Sequence, residues 1–139
     1  MYSEMFEKLN KLIENSCSKY FNYPVACILE CSDGTFYNGV NVETSSPAAG
    51  ICAERNAMFS ALSDGKNKDN FVRIYLLNKT NNIITPCFVC RQALNDYCNS
   101  NLEIVSFNNL GKYKTYILND LCPNAFEEDD LLWNVDLYH

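Results

Sequence analysis

Residues 50–62 read GICAERNAMFSAL, an apolar, alanine-rich run into which a carboxylate and a guanidinium are set just behind a cysteine. The spacing predicts a helix. Counted from Glu54, the residues at +3, +4, +7 and +8 are Ala57, Met58, Ala61 and Leu62, so Glu54 heads an apolar stripe and points inward. An inward carboxylate is expensive unless something compensates it. Two readings follow from the residues alone. Glu54 is an ordinary first-turn acid favoured by the helix dipole and reaching water, or it is a general acid/base beside a cation. Outward from this helix, the chain alternates strand-like and helix-like patterns, which predicts an α/β fold with a largely hidden central sheet.

The strand-like runs are YPVACILEC and TFYNGVNVE around an SDG turn, then FVRIYLL, LEIVSF and KYKTYIL, the last two joined through a turn at Gly111. Met5, Leu9, Leu12 and Ile13 recur at helical spacing in the opening segment, which therefore reads as an amphipathic helix rather than a signal peptide. TPCFVCRQALNDYC reads as a further helix entered through Pro86. No internal repeat, low-complexity segment or linker interrupts the pattern, so residues 1–139 are expected to form one domain.

Composition narrows the function. The chain is 47% hydrophobic and only 20% charged, enough for a proper core and unlike a disordered protein. A net charge of −6 disfavours a polyanionic partner such as nucleic acid. No run approaches the length of a membrane span, and the expected location is the cytoplasm. There, eight cysteines are buried thiols or metal ligands rather than a disulfide framework. The single histidine is His139, the final residue, so a Ser-His-Asp or Cys-His mechanism has no imidazole to use. A zinc site would be built from sulfur, and a general base would be a carboxylate or, less readily, a tyrosine or lysine.

Cys87 and Cys90 stand three apart at the start of the CFVCRQALNDYC helix, ahead of an apolar stripe formed by Ala93, Leu94, Tyr97 and Cys98. Orphan amides and the dipole at a helix start lower thiol pKa values, which suits half of a zinc site and a redox pair alike. Adding Cys52 favours metal: three thiolates on Zn²⁺ leave a fourth tetrahedral position for water, the arrangement of a catalytic site. Arg55 and two helix N-termini are available to offset the negative charge of three sulfurs.

NVETSSPAAGICAERNA followed by PCFVCRQAL resembles the cytidine deaminase family, in its small homotetrameric branch with a three-cysteine zinc site. The similarity runs from about Tyr20 to Phe126. It implies a three-layer α/β/α sandwich around a mixed five-stranded sheet, one Zn²⁺ per subunit on Cys52, Cys87 and Cys90, and Glu54 as proton shuttle. It implies hydrolytic deamination of cytidine, and of deoxycytidine, to the uracil nucleoside and ammonia in pyrimidine salvage. By the same resemblance the amide of Ala53 contacts the pyrimidine, Asn41 and Glu43 on one face of the GVNVE strand hold the ribose, and Tyr23 lies against the substrate. Phe126 matches a phenylalanine that enters a neighbouring subunit's site, in a homotetramer whose sites lie at subunit interfaces.

Three departures bear on substrate choice. The usual N-V-E-N-A-S/C-Y-G is replaced by NVETSSPAAG, so Thr44, Ser45, Ser46 and Pro47 are unusual, while Ala26 and Phe88 stand where glycine is common. A modified aminonucleoside such as blasticidin S is therefore the alternative substrate. Two other readings remain from the residues: a structural zinc module with Cys98 or Cys122 as fourth ligand, and a thiol oxidoreductase using Cys87 and Cys90. Cys17, Cys27, Cys31, Cys98 and Cys122 are otherwise expected to be core or incidental thiols.

Overall fold

A computed structural model describes residues 1–131. His139 lies outside the described residues. Helix α1 (Ser3–Leu12) precedes the hairpin β1 (Val25–Cys31) and β2 (Phe36–Val40), followed by α2 (Ala53–Ser63), β3 (Phe71–Asn78), α3 (Phe88–Tyr97), β4 (Glu103–Phe107), β5 (Tyr113–Ile117) and the short α4 (Leu118–Leu121). The five strands form one sheet in the order β2-β1-β3-β4-β5. Only β3 and β4 run parallel, because α3 carries the chain across between them; the other neighbours are antiparallel. The expected mixed five-stranded sheet is present.

Both faces of the sheet are covered, and the alternation along β1 shows how. Val25, Cys27, Leu29 and Cys31 pack with Ala53, Ala57, Met58 and Ala61 of α2 and Leu94 of α3. Ala26 and Ile28 point the other way, onto Met5, Leu9 and Ile13 beside Tyr75, Leu77, Val105 and Phe107. A period-two strand buried on both sides yields this apolar run, with α1 forming one outer layer and α2 and α3 the other. Leu12 packs at the margin of the α1 cluster.

Two details differ from the sequence reading. The expected strand through Glu43 stops at Val40; beyond it, Val42 alone bridges to Cys17 and Ile51. That places Asn41 and Glu43 on a short irregular stretch that still directs both side chains to one cavity. Tyr97, expected in the buried stripe of α3, is half-exposed. It closes the helix and borders, together with Phe126 and Leu131, a surface hollow at the C-terminal segment.

Candidate active site

Cys52 and Cys87 occupy equivalent places: each is the extended residue that opens a helix, α2 and α3 respectively. A serine, threonine or aspartate there would turn its side chain back onto the first-turn amides. Neither cysteine makes such a cap, so both sulfurs remain free to face each other, 3.7 Å apart. Cys90, one turn into α3 and buried, completes a group whose three Sγ atoms all lie within 4.8 Å of one another. Two sulfurs each about 2.3 Å from a tetrahedral zinc stand roughly 3.8 Å apart. The cradle therefore fits zinc in both donor type and spacing.

The charge environment favours a thiolate at Cys52. The hydrogen bond from Cys90, followed by those from Arg55 and Cys87, outweighs burial and draws the Cys52 thiol down to about 5. Cys90 is shifted the opposite way, by its pairing with Cys52 and by burial. Arg55 donates from Nη2 to Cys52 Sγ at 3.6 Å, so the guanidinium is a direct counter-charge to the sulfurs. Among the described residues, neither Cys98 nor Cys122 joins the cluster. Cys98 Sγ lies 3.7 Å from Met58 Sδ in the core, and Cys122 Sγ lies 3.8 Å from the Arg91 carbonyl. The structure thus gives no support to a fourth protein sulfur; Cys52 and Cys87 instead border an open cavity, while Cys90 is buried.

That cavity, about 370 Å³, is lined by Phe21, Tyr23, Val25, Asn41, Glu43, Cys52, Ala53, Glu54, Ile84, Thr85 and Cys87. Its volume lies in the range that takes a small organic ligand. Glu54 is only 6% exposed, and Ala57, Met58 and Ala61 beneath it are buried, as the helical spacing predicts. Burial is the main reason its carboxyl is pushed up to about 7; the Cys52 charge adds to this, while its own backbone amide and Arg55 oppose it. A carboxyl poised near neutrality can both accept and release a proton at physiological pH.

The expected sugar-contact pair also holds the cavity together. Glu43 Oε1 accepts the backbone N–H groups of Tyr20 and Phe21, at 3.0 and 2.8 Å. Asn41 accepts from the amide of Val25 at 2.9 Å and from the Ser16 hydroxyl, and donates to the Tyr23 carbonyl at 2.8 Å. The structure brings Tyr23, Asn41, Glu43, Ala53, Glu54 and the zinc-type cysteines to one place. Phe126 stands apart, half-exposed beside Phe88, Arg91 and Gln92, outside the cavity of its own chain. Phe21, Ile84 and Thr85 line the cavity without having been singled out from the sequence. Thr85 immediately precedes the PCxxC motif, which was the available signal; Phe21 had none beyond its nearness to Tyr23.

A trio of cysteine sulfurs at two helix starts, with a buried acid lining the adjoining cavity, is an arrangement that suits a zinc-dependent deaminase, and residues 2–105 match the model for the cytidine and deoxycytidylate deaminase zinc-binding region. A cytidine deaminase of Sporosarcina psychrophila is 32% identical over 128 residues, covering 92% of this chain and 93% of that protein. The crystal structure of cytidine deaminase from Burkholderia pseudomallei superposes with a TM-score of 0.85 at 33% identity, covering 91% of this chain and 99% of that one. A blasticidin-S deaminase of Bacillus cereus is 24% identical over 123 residues, with 84% of this chain and 83% of that protein covered. The chain belongs to the cytidine deaminase family.

Proposed function

We propose that this enzyme hydrolyses cytidine and deoxycytidine to uridine and deoxyuridine, releasing ammonia, and so serves pyrimidine salvage. The observation that carries this reading is the buried Glu54 carboxyl, pushed up to about 7 and lining the same cavity as Cys52 and Cys87 of the three-sulfur cluster. Zinc, one per subunit on Cys52, Cys87 and Cys90, would act as a Lewis acid that makes water acidic enough to attack C4 of the ring near neutral pH. Glu54 takes one proton of that water and passes it to ring N3, where it stays, and then carries the second proton of the same water to the departing amine. One water is consumed and one ammonia released, so the carboxyl ends in the state in which it began.

The other residues bind and orient. The Ala53 amide contacts the pyrimidine from the start of α2, Asn41 and Glu43 hold the sugar hydroxyls, and Tyr23 packs against the nucleoside. Each of these lines the cavity, which supports the assignment. Glu43 has one carboxylate oxygen not engaged by Tyr20 and Phe21, and Asn41 has one amide N–H beyond its bond to Tyr23. Arg55 offsets the thiolate charge that would otherwise work against acidifying water. Phe126, exposed and outside its own cavity, suits a contribution to a neighbouring subunit in a homotetramer with interfacial sites. Eight free cysteines suit a reducing cytoplasm. Among the described residues no helix is long and apolar enough to cross a membrane.

The unusual Thr44 and Pro47 border a hollow that shares Asn41 and Glu43 with the main cavity, which keeps a modified aminonucleoside such as blasticidin S as the second reading. Ultraviolet absorbance changes with cytidine, deoxycytidine and blasticidin S, each mixed separately with the zinc-loaded protein, distinguish the two. The reading fails if neither cytidine nor deoxycytidine is turned over. Glu54→Gln is expected to retain zinc and fold and to lose nearly all turnover; near-parental turnover would remove Glu54 from the mechanism.

A further inference from the structure

One wall of the cavity has almost nothing of its own to hold it in place. Among the described residues, Ile83 through Pro86 lie outside every helix and strand and make no backbone–backbone hydrogen bond, and Pro86 has no N–H to offer. Ile84 and Thr85 nevertheless line the cavity, and Pro86 leads directly into Cys87. A segment with unpaired backbone groups at such a site needs an external brace.

Arg91, one turn into α3, supplies it. Its Nε donates to the Pro86 carbonyl at 2.7 Å and its Nη2 to Thr85 Oγ1 at 2.7 Å. Its Nη1 donates to the Leu121 carbonyl at 2.9 Å, at the end of α4. All three nitrogens of one planar guanidinium are engaged on three acceptors, a geometry that a lysine ammonium on a flexible stem does not reproduce. The outer face of the guanidinium is covered by the Phe88 ring, 4.3 Å away. α3 therefore contributes Cys90 from its first turn and, from the next residue, the clamp on the chain entering Cys87.

We propose that Arg91 is a positioning residue that sets the Ile84–Thr85 wall against bound nucleoside and ties that wall to the C-terminal segment. This inference rests on the reading of the cavity as the nucleoside site. Arg91 touches neither the sulfurs nor the cavity, so it acts through Thr85 and Pro86.

The test uses the zinc-loaded full chain. Arg91→Lys is expected to raise KM for cytidine about tenfold while kcat stays within about threefold, as loss of substrate positioning does. Zinc content stays at the parental level. Thr85→Val raises KM alone, and added to Arg91→Lys produces no further rise, because the two changes remove one shared contact. Should Arg91→Lys fail to fold, Thr85→Val carries the KM measurement. Arg73→Gln, which breaks an ion-paired arginine on the sheet remote from the cavity, is the stability control. An equal rise in KM for that control at equal loss of Tm would overturn the proposal, as would additive effects of the two site variants. Methyl order parameters at Ile84 and Thr85 give a readout independent of turnover: they fall in Arg91→Lys, and parental values would refute the clamp. Absence of cytidine turnover in the parent defeats the nucleoside reading by itself, and the methyl measurement still decides the role of Arg91.

Discussion

Gly39 of β2 lies directly under the first turn of α2: a Cβ built there would fall 2.5 Å from the amide nitrogen of Ala57 and closer still to the carbonyl oxygen of Ala53. Backbone sits on backbone, and this close approach sets where the α2 N-terminus, with Cys52, Ala53 and Glu54, meets the α3 start. Gly39→Ala forces the helix away from the strand. Overpacking of this kind costs about 1–3 kcal/mol. The expected outcome is a lower midpoint in urea together with a fall in kcat/KM larger than the stability loss explains. Unchanged activity at lowered stability would show that α2 re-seats without moving the site.

Arg55 is the nearest fixed cation to the sulfur cradle. Arg55→Gln keeps an N–H donor on a shorter side chain and removes the charge. Turnover is expected to fall about 10–100-fold, the usual effect of losing a group that supports a metal ligand, with zinc retained at parental stoichiometry on metal analysis. Parental kcat would mean that the two helix N-termini suffice to offset the thiolates.

Removing the metal discriminates a catalytic from a structural centre. Of the three cysteines only Cys90 is buried, and both core clusters are built from other side chains. Chelation is therefore expected to abolish turnover while the far-ultraviolet dichroism stays native, with activity returning on zinc addition. Cooperative unfolding on chelation would instead favour a structural zinc module.

Alkaline pH should weaken the fold through Cys98. Burial pushes this thiol up to about 12 from its ordinary value of 9.0. A raised pKa contributes stability that is fully present below the unfolded value and lost as pH rises towards the folded one, because only the unfolded chain releases its proton in that window. Between pH 9 and 12, one such group lowers unfolding free energy by about 1.4 kcal/mol per pH unit. Denaturation of Cys98→Ala over that range is expected to show a shallower decline than the parent. Equal slopes would assign the decline to other groups.

What this sequence determined by itself was whatever depends on spacing along one element. The inward face of α2 from Glu54 through Ala61 and the presence of cysteines at two helix starts follow from the 3.6-residue period, and the strand at β1 from its apolar run, none of which needs knowledge of the rest of the chain. Donor chemistry suggested joining Cys52 to Cys87 and Cys90, and the resemblance to a known family strengthened that grouping. Tertiary structure alone decided matters that turn on where separate loops converge. It ended β2 before Asn41, exposed Tyr97 where α3 runs out beside the C-terminal segment, gave one Glu43 oxygen to the amides of Tyr20 and Phe21, and set Arg91 across Thr85, Pro86 and Leu121. Irregular backbone must find hydrogen-bond partners wherever the fold brings them, and no local period records that choice.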